Sequence, residues 1–299
     1  MVDVFPVEQT RTLLHFIDGS LAFAGHYVHE DSHPIHTHSF VEIAVVMGGE
    51  GVQLSSSGRQ PPRAGDLLLL RPGVWHGYED CRGLDLYNCG LSPELLRREL
   101  AWTREDPQLG HLLWTGPYQG QRRGILTAHL GAEALAECVP HLDRLHQLRG
   151  VPLTTHRGDL VGHLMLFLGA LARVVAVADE VEGRETGTHP AVLDAMRMME
   201  ERPAYHWTLT ELAAELHVAP GYLVRLFKSA TGLPPMAYLS RQRVELAAVR
   251  LLHTDQPIHR IGESVGWPDQ NYFARRFKSH YGLSASTYRS RFTRPLHKH

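Results

Sequence analysis

Four side chains in the first third of the chain have the chemistry and spacing of a metal site. His36, His38 and Glu42 form an HxHx3E arrangement, and His76 follows later in the chain. Three imidazoles and a carboxylate can bind Zn, Fe, Ni, Mn or Cu. In a β-strand His36 and His38 point to the same face, and Glu42 joins them if the strand is unbroken. Alternatively, these groups hydrogen-bond a small ligand directly, or the histidines are surface residues of a chain that contains 21 histidines.

Several aromatic residues lie close to these four in the sequence. They are Tyr27, Trp75, Tyr78 and Tyr87. Aromatic rings provide apolar and stacking faces, and the tyrosines add a polar group. We therefore expect these residues to line a pocket for a small molecule beside the metal ligands.

A second set of functional residues lies in a motif that occurs twice near the C-terminus. Residues 222–241 and 272–291 align at an offset of 50, with ten of twenty positions identical. Each copy follows a short apolar helix and a turn, so the repeated unit is helix, turn and basic helix. We call residues 209–230 the first unit and residues 258–280 the second unit. Two matched units suit the reading of two adjacent stretches of one DNA duplex.

The second helix of each unit separates into two faces. Apolar residues recur every three to four positions and are expected to face the core, which leaves the polar residues for DNA. The residues expected to contact DNA are Gly221, Tyr222, Arg225, Lys228, Gln270, Asn271, Arg275 and Lys278. The side-chain amides suit adenine, the arginines suit guanine, and the lysines suit backbone phosphates. The alternative, a merely solvated charged face, is disfavoured by the repeated spacing.

The elements that position these residues indicate an α+β protein of two domains. Apolar runs at Val41–Met47 and Leu67–Leu70, bounded by glycine-rich turns, predict strands of a small barrel or sandwich. Helical spacing follows in Pro93–Trp102, Leu130–Leu148 and Leu160–Val177. We expect an N-terminal domain over 1–178, with the barrel at about 15–91 and helices at about 92–178. A charged linker over 179–189 then leads to a helical domain over 190–299.

The helix near residue 165 has an apolar face that allows two interpretations. Leu160, His163, Leu164, Phe167, Leu168 and Leu171 follow a three-to-four spacing. This face packs against the β-domain in the first interpretation, which we favour slightly, and forms the interface of a homodimer in the second.

Composition supports a DNA-binding domain in a reducing compartment. From His189 onward the chain has 15 basic and 9 acidic residues, which leaves 15 basic and 23 acidic before it. An excess of positive charge on one domain is typical of a polyanion partner. The three cysteines lack a CxxC spacing, the first residues do not resemble a signal peptide, and the apolar stretch Leu164–Ala178 is too short to span a bilayer. We therefore expect a cytoplasmic protein without a membrane partner.

The segment 190–292 resembles the tandem helix-turn-helix domain of the AraC/XylS family of transcription regulators. The stretch IHRIGESVGWPDQNYFARRFKSHYGLSASTYR carries the family signature, apart from Gly262, where the family usually has alanine. The N-terminal histidines and Glu42 resemble the metal site of the cupin barrel. Regulators of this family often keep the outline of this barrel without binding a metal. The resemblance implies recognition helices in successive major grooves, joined by a helix that contains Val244–Leu252.

These observations favour a transcription regulator over an enzyme. We expect a cupin-like sensor that binds a small effector, for which a sugar is the first candidate, with a divalent metal (Zn, Fe, Ni or Mn) in the site. The expected partners are double-stranded DNA, the effector, a second copy of the chain and RNA polymerase. The alternatives are a metal-dependent cupin enzyme fused to a DNA-binding domain, and a constitutive DNA binder with a vestigial sensor.

Overall fold

A mostly antiparallel sheet dominates the first 130 residues. The structure, a computed structural model, describes residues 7–10, 13–16, 21–55, 57–119, 122, 124–149, 151, 153–181 and 189–293. The strands within these residues are β1 (Val7–Thr10), β2 (Leu13–Phe16), β3 (Ala22–His29), β4 (His33–His38), β5 (Val41–Ser55), β6 (Gly58–Gln60), β7 (Asp66–Leu70), β8 (His76–Leu91) and β9 (Ile125–His129). The two apolar runs predicted as strands therefore lie in β5 and β7.

The sheet is organised around its two longest strands, β5 and β8. The strand order is β1-β2-β4-β8-β5-β7-β9, with β3 also paired to β8 and β6 to β5. Strands β5 and β8 pair along most of their length, with several shifts of register. Strand β4 pairs antiparallel with the start of β8, which sets His36 directly opposite His76. Two histidines that are 40 positions apart in the sequence are thus brought together by strand pairing.

Helices cover the remainder of the N-terminal domain and form all of the C-terminal domain that the structure describes. They are α1 (Pro93–Arg97), α2 (Pro107–Gly110), α3 (Ala132–Gln147), α4 (Leu153–Val181), α5 (Pro190–Glu201), α6 (Leu209–Glu215), α7 (Pro220–Thr231), α8 (Pro235–His253), α9 (Ile258–Ser264), α10 (Gln270–Tyr281) and α11 (Ala285–Thr293). Short 3-10 and π segments lie between α1 and β9. The α+β architecture agrees with the prediction.

Several boundaries differ from those expected. Strand β9 lies in the part expected to be helical, and it completes the sheet by pairing with β7. The sheet also begins with β1, before residue 15. Helix α4 continues to Val181 and takes the first residues of the expected linker over 179–189. Residues 182–188 lie outside the described part of the chain, and the limits of the domains remain a prediction.

The apolar face of α4 is buried inside the protein. Its residues Leu160, Leu164, Phe167, Leu168 and Leu171 are at most 6% exposed, and His163 is partly buried. This outcome agrees with packing inside one chain rather than with a dimer interface on that face. The apolar stretch Leu164–Ala178 was expected to be too short to span a bilayer. This expectation was wrong, because the apolar part of α4 extends over Leu153–Val177, which by length and composition is enough to cross a bilayer. Half of its most apolar window is buried in the protein, as in the core helix of a soluble protein.

The two helix-turn-helix units have the local structure that their sequences predict. Helix α6 begins at the N-cap Thr208, whose hydroxyl accepts from the Glu211 N–H at 3.1 Å. Helices α7 and α10 end at Gly232 and Gly282, both in the left-handed conformation with φ of 71° and 74°. Glycine adopts this conformation without the strain that a Cβ atom causes, so it ends a helix efficiently. Helix α8 joins the two units, as the resemblance implied.

Candidate functional site

The four expected metal ligands come together in the sheet domain, and we call them the histidine site. His36 and His38 end β4, Glu42 lies at the start of β5, and His76 begins β8. The chain turns between β4 and β5, so the condition of an unbroken strand was wrong. Glu42 nevertheless reaches the histidines, because β5 and β4 both pair with β8.

The histidine site is compact and almost fully buried. His36 is 5% exposed and the other three residues at most 2%. The ligand nitrogens of the three histidines lie within 4.8 Å of one another. Oε2 of Glu42 lies 3.0 Å from Nε2 of His38 and 3.2 Å from Nε2 of His76. Burial of ionisable groups costs free energy unless the groups are paired with one another or bind a ligand or a metal.

The hydrogen bonds leave ring nitrogens facing one another across the site. Nδ1 of His36 lies 3.0 Å from the Pro34 carbonyl oxygen, and Nδ1 of His38 lies 3.2 Å from that of Phe40. A carbonyl partner fixes Nδ1 as the protonated nitrogen and leaves Nε2 with a lone pair. Although the Glu42 contacts are short, Nε2 of His38 and Oε2 of Glu42 have no well-aligned hydrogen-bond partner among the described residues. Two buried acceptors without donors are what a bound cation would satisfy.

The protonation states also suit metal binding. Burial holds the pKa of His36 well below its usual value and lowers that of His76. Burial would raise the pKa of Glu42, but the adjacent imidazoles of His38 and His76 hold it well below its usual value. Neutral His36 and His76 beside an ionised carboxylate are in the forms that ligate a metal.

Two of the four expected pocket aromatics lie near the histidine site. The Tyr78 ring is buried and meets the His76 ring edge-on, with centroids 6.1 Å apart. Burial raises the pKa of Tyr27 to about 12, Arg149 opposes this shift, and the charge of Glu42 adds to it. The Tyr27 ring lies over Gly25, where a Cβ atom would be 2.4 Å from the tyrosine hydroxyl.

The other two aromatics point elsewhere, contrary to expectation. Nε1 of Trp75 donates to the Tyr281 carbonyl oxygen at 3.3 Å, so this side chain contacts the C-terminal domain. The Tyr87 hydroxyl bonds to Asp143 on α3, and its ring stacks on His26 at 4.6 Å. Side chains alternate between the faces of a strand, so proximity in sequence did not place these two rings beside the histidines.

Sequence reasoning missed two rings beside the site. The His33 ring lies 4.8 Å from that of His36, and the Phe40 ring stacks on that of His38 at 4.8 Å. His33 in turn lies 4.7 Å from His29, so the imidazoles form a row that reaches partly exposed residues. The density of histidines between 26 and 38 is the available signal, and a surface location was one of the alternatives that the sequence left open for them.

The segments that carry the histidines also contact the C-terminal domain, directly after the second unit. Thr37 lies between the two histidines, and its hydroxyl is 3.4 Å from that of Tyr288 in α11. The Tyr288 hydroxyl also donates to the Gly73 carbonyl oxygen at 2.7 Å. With the contact from Trp75 to Tyr281, both segments that carry the histidines therefore touch the C-terminal domain.

The residues expected to contact DNA share one exposed face in each unit. All eight are exposed, namely Gly221, Tyr222, Arg225, Lys228, Gln270, Asn271, Arg275 and Lys278. The apolar residues of the same helices, including Phe227 and Phe277, are fully buried. Arg225 lies over the Tyr222 ring at 5.6 Å, and Arg275 over the Tyr272 ring at 6.0 Å. The two units therefore present an arginine held in the same way.

Family models match both halves of the chain. A helix-turn-helix domain model matches residues 212–291, and an AraC-like ligand binding domain model matches residues 20–130. The HTH-type transcriptional activator RhaR from Pectobacterium carotovorum is 27% identical over 265 residues, which cover 87% of each chain. A putative AraC-like transcription regulator from Streptomyces antibioticus is 34% identical over 112 residues, 37% of each chain.

A solved structure supports the same fold. ToxT from Vibrio cholerae, in its P21 crystal form, aligns with 92% of this chain and 100% of its own at a TM-score of 0.52. The sequence identity is 13%, so this likeness concerns the fold alone.

Proposed function

Because the chain belongs to the AraC family of transcription regulators, with an AraC-like ligand-binding domain before a helix-turn-helix domain, we propose that its effector site contains a divalent metal. The family consists of DNA-binding regulators rather than enzymes. His36, His38 and His76 are the metal ligands in this proposal, and Glu42 is the fourth. The metal adds a Lewis-acidic centre that binds oxygen atoms of a polar effector.

The observation that carries this proposal is the buried group of three histidines with unsatisfied acceptors. The ring nitrogens of the three histidines lie within 4.8 Å of one another, and burial favours the neutral forms of His36 and His76. Zn, Fe, Ni and Mn accept such a ligand set. An effector with adjacent hydroxyl or carboxylate oxygens would bind this centre, and a sugar is the first class to test.

The response to the effector passes, in this proposal, through the backs of the same strands. A change in position of His36 or His38 moves Thr37, and a change at His76 moves Trp75. Thr37 contacts Tyr288 and Trp75 contacts Tyr281. Tyr281 is the last residue of α10, and the rings of both tyrosines contact Phe277 of this helix. An effector alters DNA binding if it has different affinities for two arrangements of this contact.

Elemental analysis of protein purified without a metal-affinity tag tests the proposal. We expect near-stoichiometric metal in the wild type and its loss in the double variant H36A/H76A. The matched control is H141A/H163A, which removes another close histidine pair, with Nδ1 atoms 3.2 Å apart. It should retain the metal. Absence of metal from the wild type would instead support direct hydrogen bonding of the effector.

The DNA-binding proposal assigns roles to the exposed residues of α7 and α10. Arg225 and Arg275 contact guanine, Gln270 and Asn271 contact adenine, and the two lysines contact phosphates. Gly221 and Tyr222 lie at the start of α7 and approach the same groove. Support comes from their shared exposure and from the equal spacing of the two units.

A homodimer and contact with RNA polymerase complete the proposal. Leu166 and Val177 on α4 are 56% and 61% exposed, which gives this helix an apolar surface besides its buried face. Pairing of two copies would cover these side chains. The similar RhaR is named a transcriptional activator, which supports a role at the promoter together with RNA polymerase. The constitutive alternative predicts that no effector changes the affinity for the operator.

A further inference from the structure

A cavity of about 320 Å³ lies between the two domains, apart from the histidine site. Six lining residues come from the N-terminal domain, among them Arg71 and Trp114, and six from the C-terminal domain, among them Glu200 and Glu245. The four residues of the histidine site are not part of this lining. This interdomain cavity has the size of a site for a small molecule.

Much of the cavity wall is apolar. Trp114 and Leu96 contribute from the N-terminal domain, and Leu246 and Val249 contribute from α8. The Trp114 ring is held in place, because Arg104 lies over it at 4.0 Å and its Nε1 donates to the Thr103 hydroxyl at 3.1 Å. A fixed indole beside aliphatic side chains suits an apolar ligand body of one ring or a short branched chain.

Among the described residues, the charged side chains of the wall are hydrogen-bonded, with one exception among their buried atoms. Glu200 accepts from Arg104 and from Nε2 of Gln242, the latter at 3.1 Å. Arg71 donates to the Tyr118 hydroxyl at 3.1 Å and to the Leu113 carbonyl oxygen at 3.1 Å. Oε2 of Glu245 accepts from the Tyr118 hydroxyl at 2.8 Å.

The exception is the second carboxylate oxygen of Glu245. Its Oε1 is buried and has no hydrogen-bond partner among the described residues, and the residue is 6% exposed. The nearest cation in an ion pair, Arg71, keeps its Nε 3.9 Å from Oε2. A buried carboxylate oxygen without a donor loses about 1–3 kcal/mol of solvation that nothing replaces.

The charge balance around Glu245 indicates which ligand group is missing. Burial raises its pKa to about 7, although Arg71, the Tyr118 hydrogen bond and Arg241 lower it, and Glu200 raises it further. The positive charge of Arg71 and Arg241 therefore does not offset the burial of the carboxylate, so more positive charge would stabilise it, and its Oε1 also lacks a hydrogen-bond donor among the described residues. One ammonium group supplies both.

We propose that the interdomain cavity binds a small amphipathic amine, whose ammonium group donates to Glu245 and whose apolar body lies against Trp114. Since the walls belong to both domains, the amine binds most tightly when the domains are docked as in this structure. It thereby stabilises this arrangement. This second ligand site acts independently of any metal in the histidine site.

Three probes of similar shape and different charge test the proposal on the full chain. Calorimetric titrations with 2-phenylethylamine, 2-phenylethanol and 3-phenylpropionate are carried out at pH 8 in the presence of EDTA. EDTA makes the outcome independent of the metal proposal. The amine is expected to bind at least tenfold more tightly than the alcohol, and the carboxylate more weakly than both. Tighter binding of the carboxylate, or no binding of the amine at millimolar concentration, would overturn the proposal.

Variants and pH then locate the amine. Glu245→Gln should weaken amine binding at least tenfold and leave alcohol binding nearly unchanged, whereas Glu215→Gln, an exposed glutamate on α6, should change neither. Between pH 8 and pH 6 wild-type affinity for the amine should fall about tenfold, because Glu245 becomes protonated while the amine stays charged. Val249→Phe fills the cavity without altering the carboxylate and should weaken all probes. Retained amine affinity in both variants would contradict the assignment.

Discussion

The two helix-turn-helix units share one sequence pattern but have different neighbours. In both, a buried tyrosine follows the recognition helix and packs on its phenylalanine: Tyr238 lies 5.6 Å from Phe227, and Tyr288 lies 5.2 Å from Phe277. Both recognition helices carry an arginine over a tyrosine ring and end at a left-handed glycine. The residues that the two copies share therefore adopt the same local structure in both.

The difference lies in where each unit meets the N-terminal domain. The Tyr238 ring contacts that of Tyr118 at 5.4 Å, and Tyr118 is bonded to Glu245 beside the interdomain cavity. The hydroxyl of Tyr288 instead bonds to Gly73, close to His76 of the histidine site. The same residue of the repeat therefore contacts two different parts of the N-terminal domain, one next to the interdomain cavity and one next to the histidine site. The repeat thus supplies two similar exposed faces, whereas the tertiary contacts connect each of them to the N-terminal domain in a different place.

The largest expected effects test whether the two units have equivalent cores. Phe227 and Phe277 are both 0% exposed. Phe227→Ala and Phe277→Ala should each lower the free energy of unfolding by about 3–5 kcal/mol, because each removes a buried ring and leaves a cavity. Urea unfolding of the full chain measures the loss. As controls, Ser229→Ala and Ser279→Ala alter exposed residues of the same helices and should stay within about 0.5 kcal/mol. A loss below about 1 kcal/mol in one unit would break the equivalence.

A smaller effect tests whether both units contact bases. Arg225→Ala and Arg275→Ala should each weaken specific DNA binding by about 1–3 kcal/mol, since each removes a bidentate donor to guanine. Fluorescence anisotropy with operator and with random DNA at one salt concentration separates specific from nonspecific binding. Arg98→Ala, an exposed arginine of the N-terminal domain, serves as the control. Unchanged operator affinity in both variants would reject the assigned contacts.

The next prediction compares the hydroxyl groups of the two equivalent tyrosines, because, among the described residues, only that of Tyr288 bonds to the N-terminal domain. Tyr288→Phe removes the donor to the Gly73 carbonyl oxygen, and Tyr238→Phe removes the partner of Gln242 Nε2 at 2.8 Å. Each loss should cost about 1 kcal/mol of stability, the usual net value of one hydrogen bond. We expect Tyr288→Phe alone to reduce the effect of metal or effector on operator affinity. Equal responses in the two variants would remove the proposed connection between the histidine site and the second unit.

The parts of the structure that could be predicted from sequence are those set by local interactions. Helical spacing, the capping residue Thr208 and the terminal glycines Gly232 and Gly282 act within a few residues, so both units were found correctly. The histidine site was found because metal chemistry restricts the residue types. Even there, the turn before Glu42 was missed, since strand pairing with β8 rather than one continuous strand brings this carboxylate to His38.

The parts that could not be predicted depend on distant partners. Strand β9 is so short that its alternation of apolar and polar residues does not distinguish it from the helices around it. Its pairing with β7 determines its structure. Trp75 and Tyr87 were assigned to the pocket by position. The face of β8 on which Tyr87 lies is set by register, and Trp75 precedes this strand and contacts Tyr281 of the C-terminal domain. The interdomain cavity requires two domains to meet. In the sequence, Glu245 is one of several charged residues on a helix, and nothing local indicates that it is buried.

The smallest expected effect tests a difference in the turns of the two units. His217 and Gly266 both follow the first helix of their unit with positive φ, 53° and 91°. Histidine tolerates this conformation better than most residues, but its Cβ atom still causes some steric strain. Glycine has no Cβ atom and removes this strain. The relief is opposed by the larger entropy that glycine loses on folding, about 0.5–1 kcal/mol. His217→Gly should therefore stabilise the protein by less than about 1 kcal/mol, measured as a shift in the urea midpoint. The control His217→Ala removes the same exposed imidazole and keeps the Cβ atom, so it should not stabilise. If both variants shift the midpoint equally, the imidazole and not the backbone distinguishes the first turn from the second.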